Sequence, residues 1–326
     1  MNFERIVNQL AKYQTGIYLI TMILAAILAT ISPEKMAFDA AINPALGLML
    51  FATFLQIPIV SLGKIFLSLR FLVALFVANF LAVPLLVAAI VPFFTLEPIV
   101  LLGVLMVLLA PCIDYVITFA HLGRSDARLL LAATPLLLIM QMLLLPFYLQ
   151  LFIGNETADL IQFSLFAQAF IWLIAIPFVL ATLVQFMIKK TSINGRLPVF
   201  LEPAVIFFTA LVLFIVIASV VPKLGAATDS ITQAIPLYII FSVTAPVLGW
   251  LIGKLFRLQD SMAGAIAFSA ATRNSLVIMP LALAIPGAIP VLPAVIMSQM
   301  IIELLAELVY IRLALWKIKP AQSIPR

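Results

Sequence analysis

The chain has 326 residues, of which 65% are hydrophobic and 10% charged, and its mean hydropathy is +1.28. A soluble domain cannot bury so much apolar side chain, so the composition excludes a soluble globular protein and indicates a polytopic membrane protein. The formal charge of +5 comes from basic residues scattered through short loops, which gives no indication of a nucleic-acid partner.

Long apolar runs without alternating polarity predict transmembrane helices, because a helix needs about 20 apolar residues to cross a bilayer. We expect an all-α protein that forms a single transmembrane transporter domain over residues 1–326. Ten spans are predicted, at 16–31, 43–62, 71–92, 98–122, 129–153, 160–188, 200–221, 235–255, 262–286 and 289–313.

Charge in the predicted loops orients these spans. Of the 18 lysines and arginines, 14 fall in the two tails and in alternate loops on one side, whereas Lys35 and Lys223 lie on the other. Basic residues favour the cytoplasmic side of short loops. The pattern therefore predicts an even number of spans, with both termini on the cytoplasmic side of the plasma (inner) membrane.

The ten predicted spans divide into two halves of five. Because five is odd, the second half crosses the membrane in the opposite orientation to the first, which predicts an inverted repeat over about residues 14–153 and 160–316. Residues 138–143 in the fifth span read LIMQML, and residues 295–301 in the tenth read VIMSQMI. The fourth and ninth spans each carry a polar interruption at mid-depth. Matched interruptions in two halves are typical of a transporter's binding site.

The two interruptions contain the most informative polar residues of the apolar runs. One is the sequence APCID ending at Asp114, in which Pro111 removes a backbone donor and disfavours helix at the residue before it. The other contains Arg273, and an arginine at the centre of a span costs at least about 2.5–3.5 kcal/mol unless it faces a partner or a cavity. We predict that helices 4 and 9 are broken there and cross. Arg273 and Asp114 would then share a polar chamber.

Three stretches carry a resemblance to a known family. They are GWLIGKL at 249–255 with AGAIAFS at 263–269 and RNS at 273–275, APCI at 110–113, and VANFL at 77–81 followed by Pro84. The chain resembles the bile acid:sodium symporter superfamily and is most similar to its arsenite-efflux permease branch. The resemblance implies two inverted five-helix repeats, with panel helices 1, 2, 6 and 7 and core helices 3–5 and 8–10.

The resemblance also implies roles for individual positions. Cys112 falls on the functional thiol of the arsenite permeases, and Asn79 falls on an amide near the superfamily's sodium site. Ser269 falls on an acidic sodium ligand and Arg273 on a glutamine ligand. A guanidinium stays protonated and accepts no hydrogen bond, which argues against sodium there. Arg273 would instead supply the charge of sodium, and a carboxylate, first Asp114, would couple transport by taking up a proton.

From these arguments we expect proton-coupled efflux of arsenite or a related metalloid by alternating access, with no enzymatic activity, cofactor or metal. The alternative is a sodium- or proton-coupled organic-anion carrier in which Arg273 clamps a carboxylate. The candidate substrate-binding residues are Cys112, Asp114, Arg273, Asn274 and Asn79. The candidate ion-coupling residues are Asp114, Glu303, Ser269 and Ser275.

Each candidate also has a purely structural interpretation. Arg273 and Asp114 can be a buried pair that fixes the crossing, and Cys112 can be a small buried hydrophobe. Glu303 and Glu307, four residues apart, are either relay carboxylates or, for Glu307, a partner of an arginine near the helix end. An intramembrane enzyme or a channel is disfavoured, because the sequence has no HExxH or GxSxG motif and no repeated pore stripe.

Overall fold

The structure, a computed structural model, describes residues 2–31, 39–56, 68–113, 115–153, 171–189, 197–221, 227–283, 285 and 290–318. Within these ranges the chain is nearly all helical, with one isolated β-bridge and no β-strand. The α-helices are α1 (Asn2–Ile31), α2 (Asp39–Gln56), α3 (Leu69–Val77), α4 (Val83–Ile90), α5 (Pro98–Leu108), α6 (Val116–Leu122), α7 (Ala127–Ile153), α8 (Ile176–Lys189), α9 (Leu197–Val220), α10 (Thr228–Leu255), α11 (Asp260–Ala271), α12 (Ser275–Leu283) and α13 (Val291–Lys317). Two π-helical turns, Ala78–Ala82 and Ile171–Ala175, and a 3₁₀ turn, Val91–Phe93, adjoin these helices.

The lengths of the helices agree with a multi-pass membrane protein. In the described ranges, four segments are long and apolar enough to cross a bilayer: Leu69–Phe93, Ala127–Ile153, Thr228–Leu255 and Val291–Leu315. Shorter apolar helices accompany them. The predicted spans at 43–62 and 160–188 run partly outside the described residues, so the ten-span count and the inverted repeat stay predictions.

Several helix ends differ from the sequence prediction. Helix α1 begins at Asn2, well before the predicted start at residue 16, because no glycine or proline precedes Gly16 to stop the helix. Helix α10 begins at Thr228 and carries Asp229 in its first turn, which the positive end of the helix dipole favours. Helix α13 continues to Lys317, a basic residue in the last turn.

The chain divides into two compact units. The first consists of Met1–Ile57, Thr157–Ile231 and Leu276–Ala294. In it, α9 packs on α1 and α2, and α8 packs on α2. Gln185 caps the C-terminal end of α2. Its Nε2 lies 2.9 Å from the Phe54 carbonyl oxygen and 3.1 Å from the Leu55 carbonyl oxygen. A side-chain donor thereby satisfies carbonyls that a helix end leaves unpaired.

The second unit consists of Pro58–Glu156, Thr232–Ser275 and Val295–Arg326. In it, α7 packs on α5 and α6, and α11 packs on α3, α6 and α7. Helix α11 is therefore central to this unit. The assignment of panel and core helices made from the resemblance stays a prediction.

Glycines allow α10 and α11 to approach closely. A Cβ atom on Gly253 would lie 2.7 Å from the Cα of Ala263, and one on Gly249 would lie 2.8 Å from the Cα of Ala267. Backbone atoms cannot move aside as a flexible side chain can. Small residues at these contacts are typical of membrane helices, which associate by close packing.

We expect Gly253→Ala to destabilise the protein by about 1–3 kcal/mol, because the added methyl forces α10 and α11 apart. The matched control is Gly47→Ala in α2, where a Cβ would meet no atom within 4 Å. That change should stabilise by about 0.5–1 kcal/mol, the helix preference for alanine over glycine. Thermal unfolding midpoints in detergent measure both, and equal midpoints for the two variants would contradict the packing argument.

Candidate functional site

The first predicted interruption is a real helix break. Helix α5 ends at Leu108 and α6 begins at Val116, with Pro111 between them. The amides of Leu109 and Ala110 still bond to carbonyls of the last turn of α5. From Pro111 to Ile113 the chain is not helical. Asp114 lies outside the described residues.

The second interruption is also a break, although no proline lies in it. Helix α11 ends at Ala271, Thr272 is extended with φ −90° and ψ 127°, and α12 begins at Ser275. The Thr272 hydroxyl lies 2.7 Å from the Phe268 carbonyl oxygen of the last turn of α11. A threonine that bonds to its own helix in this way competes with continuation of the helix.

The two broken segments pair with each other. Pro111 and Arg273 form an antiparallel β-bridge. On either side of it, the Cys112 amide donates to the Thr272 carbonyl at 3.1 Å, and the Asn274 amide donates to the Ala110 carbonyl at 2.9 Å. Lipid cannot satisfy unpaired backbone groups, so each segment supplies the partners that the other lost when its helix ended.

The Arg273 side chain is fully buried beside this bridge. Its Nη1 donates to the Leu108 carbonyl at 3.2 Å, where α5 ends. Its Nη2 lies 2.5 Å and 2.6 Å from the carbonyl oxygens of Ser269 and Ala270, where α11 ends. The carbonyl end of a helix carries partial negative charge, so the guanidinium caps two negative helix ends at once.

Two further groups complete the surroundings of the guanidinium. The Asn79 Oδ1 accepts from Arg273 Nη2 at 3.1 Å, and the Phe241 ring centroid lies 5.6 Å from the guanidinium carbon. Among the described residues, no carboxylate forms an ion pair with Arg273. Oxygen dipoles and an aromatic face therefore stabilise the buried cation.

Asn79 is held in place by an irregular helix. It lies in the π-helical turn Ala78–Ala82, and its Nδ2 donates to the Leu75 carbonyl at 3.1 Å and to Ser269 Oγ at 2.9 Å. Pro84 lies four residues after Phe80 and has no N–H, so it cannot donate to the Phe80 carbonyl as another residue of a helix would. The Tyr148 hydroxyl takes that place and lies 2.5 Å from the Phe80 oxygen.

Two buried glutamates of α13 lie on the other side of the bridge. Glu303 Oε2 accepts from the Arg273 backbone amide at 2.6 Å and from Gln299 Nε2 at 2.6 Å. Glu303 Oε1 accepts from the Tyr115 hydroxyl at 2.8 Å. Glu303 thus contacts the backbone of the break, whereas the Arg273 side chain contacts the helix ends.

Glu307 and a backbone carbonyl of α11 both contact the Thr272 hydroxyl. Glu307 Oε1 lies 2.5 Å from the Thr272 hydroxyl, which also lies 2.7 Å from the Phe268 carbonyl oxygen. A hydroxyl has one hydrogen. Both contacts are hydrogen bonds when Glu307 is protonated and donates to Thr272, while Thr272 donates to Phe268.

Amide side chains extend the polar cluster to α7. Asn274 Nδ2 donates to Gln141 Oε1 at 3.2 Å, and Ser275 Oγ donates to Gln299 Oε1 at 2.6 Å. Gln141 Nε2 and Asn274 Oδ1 are buried and have no hydrogen-bond partner among the described residues. Arg273 Nε and Glu307 Oε2 are buried there without a partner as well, so among the described residues the cluster retains two N–H donors and two oxygen acceptors for a bound solute.

The structure brings most of the predicted site residues together. Cys112, Arg273, Asn274, Asn79, Ser269, Ser275 and Glu303 are all buried within the second unit. Their roles in binding or coupling stay predictions. Sequence reasoning assigned no role to Gln141, Gln299, Thr272 or Tyr115, although the first two occupy the similar segments of the fifth and tenth predicted spans.

Comparison with known families agrees with this architecture. The sequence model of the sodium bile acid symporter family matches residues 43–226, more than half of the chain. The chain belongs to the sodium bile acid symporter family. The matched region includes the first break, whereas the second break lies beyond it. A search of curated proteins gave no match. Membership identifies a multi-pass membrane protein of a transporter family.

We expect Tyr148→Phe to destabilise the protein by about 0.5–1.5 kcal/mol, because it removes the hydrogen bond that the hydroxyl donates to the partly buried Phe80 carbonyl. The matched control is Tyr238→Phe, which removes a buried hydroxyl that has no hydrogen-bond partner among the described residues. That change should be neutral or stabilising. Thermal unfolding in detergent compares the two, and a Tyr238→Phe variant that is the less stable of the pair would refute the account of the π-helical turn.

Proposed function

We propose that the protein is a secondary active transporter that works by alternating access, without enzymatic activity, and couples transport to protons rather than sodium. The observation that carries this proposal is the position of the Arg273 guanidinium. Carbonyl and amide oxygens surround it, from Leu108, Ser269, Ala270 and Asn79. Such neutral oxygens are the ligands that hard metal cations take in proteins.

A resident guanidinium makes a sodium ion at the same place unfavourable. Arg273 stays protonated and uses its N–H groups on the oxygens that a metal cation would need. Two cations sharing one buried oxygen cage would also repel each other strongly. The family name mentions sodium, and in this chain we assign the charge of that ion to Arg273.

Buried carboxyls supply the groups for proton coupling. Glu303 and Glu307 are both buried within hydrogen-bond reach of the second break, at Arg273 and Thr272. One guanidinium and two carboxyls form a neutral cluster when one carboxyl is protonated. Binding of a second proton makes the cluster positive, and loss of the first proton makes it negative. Asp114 remains a further candidate on the first break.

For the substrate we propose arsenite or a related metalloid, moved outward. Cys112 lies on the first break, and its amide bonds to Thr272 on the second. Trivalent arsenic is soft and favours sulfur ligands, and a single thiol holds it weakly enough for release. The unpartnered Gln141 donor and Asn274 acceptor suit a neutral solute that carries hydroxyl groups.

An organic-anion carrier is the second candidate. The name of the family includes bile acid, and Gln141 Nε2 offers a buried N–H donor to a carboxylate. At the Nη2 group of Arg273 the carboxylate would have to compete with the carbonyl oxygens already there, whereas Arg273 Nε has no partner among the described residues.

For coupling, we expect the transport rate of the reconstituted protein to increase with an imposed pH gradient. A sodium gradient at constant pH should leave the rate unchanged. Arg273→Gln should reduce transport by about 100-fold or more, since removing a buried charge from its partners costs about 3–5 kcal/mol. Residual transport by this variant should be stimulated by sodium, because the oxygen cage is then vacant.

The matched control is Glu303→Gln, which keeps the shape of the side chain and removes its ability to exchange a proton. It should lose dependence on the pH gradient without gaining dependence on sodium. Wild-type transport driven by sodium at constant pH would falsify the coupling proposal.

For the substrate, we expect Cys112→Ser to reduce arsenite transport by at least about tenfold, because it replaces a soft ligand with a hard one of similar size. Cells that express the variant should lose arsenite tolerance relative to cells that express the wild type. Cys112→Ala serves as the control for packing, since a structural cysteine tolerates a small apolar replacement. Arsenite transport by both variants at the wild-type rate would leave the organic anion as the substrate class.

A further inference from the structure

A long apolar groove lies in the second unit. Its volume is about 670 Å³, within the range of about 300–1,000 Å³ that is typical of pockets for small ligands. Residues of α10, α11 and α13 line it. The floor consists largely of small residues, among them Gly264, Ala267, Ala306 and Ala314.

The groove is exposed along its edges. Val243 and Val247 on α10 and Val309 and Leu313 on α13 line it and are more than half exposed. The Tyr310 hydroxyl, also in the lining, donates to the Ser242 carbonyl and is thereby satisfied. The groove therefore offers an apolar surface to a chain that approaches from the membrane.

The length of the groove matches one leaflet. Along α10 the lining residues run from Ile239 to Trp250, about 16 Å at 1.5 Å per residue. The hydrocarbon core of a bilayer is about 30 Å thick, so the groove covers roughly half of it. An acyl chain of one leaflet has this length and this chemistry.

One end of the groove is basic. Lys254 and Lys317 each place their ammonium 5.1 Å from the centroid of the Trp250 ring, so the two ammoniums are at most about 10 Å apart. Lys317 and Trp250 are part of the lining. Lys254 also bonds to Asp260, which leaves it further N–H donors for a second acceptor. Tryptophan and lysine are typical of the level of the lipid headgroups.

We propose that this groove binds one anionic phospholipid, with an acyl chain along α10 and α13 and the phosphate at Lys254 and Lys317. The loop charges predict this end to be cytoplasmic, where anionic lipids are enriched. The groove lies against the helix that carries Glu303 and Glu307. Lipid bound there would fix the position of α13 beside α10.

The test uses the full chain in bilayers, with Trp250 as the reporter. The protein has three tryptophans, so Trp172→Phe with Trp316→Phe leaves Trp250 alone. Phospholipids with brominated acyl chains quench a tryptophan that they touch. Phosphatidylglycerol is compared with phosphatidylcholine at equal chain composition. We expect phosphatidylglycerol to quench Trp250 with an affinity about tenfold or more above that of phosphatidylcholine, since each basic residue contributes about fivefold.

Three variants locate the site. Lys254→Gln with Lys317→Gln should abolish the preference for the anionic lipid. The control is Arg70→Gln with Arg128→Gln, at two exposed residues elsewhere. It removes the same amount of charge and should retain the preference for the anionic lipid. Ala306→Phe should fill the groove and reduce quenching by both lipids. A protein with Trp172 alone should show no preference.

Equal quenching of Trp250 by the two lipids would overturn the proposal, as would a preference that survives loss of both lysines. Unchanged quenching in Ala306→Phe would place the acyl chain outside the groove. A Trp250 that neither lipid reaches would mean that another segment or a second copy of the chain covers the groove, which also overturns it.

Discussion

The second unit depends on a short antiparallel contact between two stretches of chain that are not helical. A membrane protein must pair its backbone groups internally, and each of these stretches alone would leave some unpaired. The bridge between Pro111 and Arg273, with its two flanking hydrogen bonds, pairs them with each other. Each break therefore depends on the other for backbone hydrogen bonds.

The charge of Arg273 is balanced in an unusual way for a buried arginine. Its neighbours in the described residues are the carbonyl ends of α5 and α11 and the amide of Asn79 rather than a carboxylate side chain. Because carbonyl and amide oxygens accept from its Nη groups, the carboxyls on α13 are not hydrogen-bonded to the guanidinium. The proposed coupling assigns proton exchange to Glu303 and Glu307.

Helix α13 presents different chemistry on two faces. Glu303 and Glu307 contact the second break, and neighbouring residues, among them Tyr310, line an apolar groove that ends at two lysines. A lipid on the outer face and a proton on the inner face would therefore act on the same helix. The spacing of Glu303 and Glu307, four residues apart, keeps both carboxyls on the inner face.

Composition, the long apolar runs and the interruptions at Pro111 and Arg273 determined from sequence alone that the protein is helical, crosses a membrane and breaks two helices at depth. Hydrophobicity and proline act locally, so a linear pattern reveals them. The sequence did not show that Arg273 caps two helix ends, that Tyr148 replaces the donor missing at Pro84, or that Gln141 meets Asn274. Those contacts join residues far apart in the chain, and only the packing of α3, α5, α7, α11 and α13 decides which polar groups become neighbours.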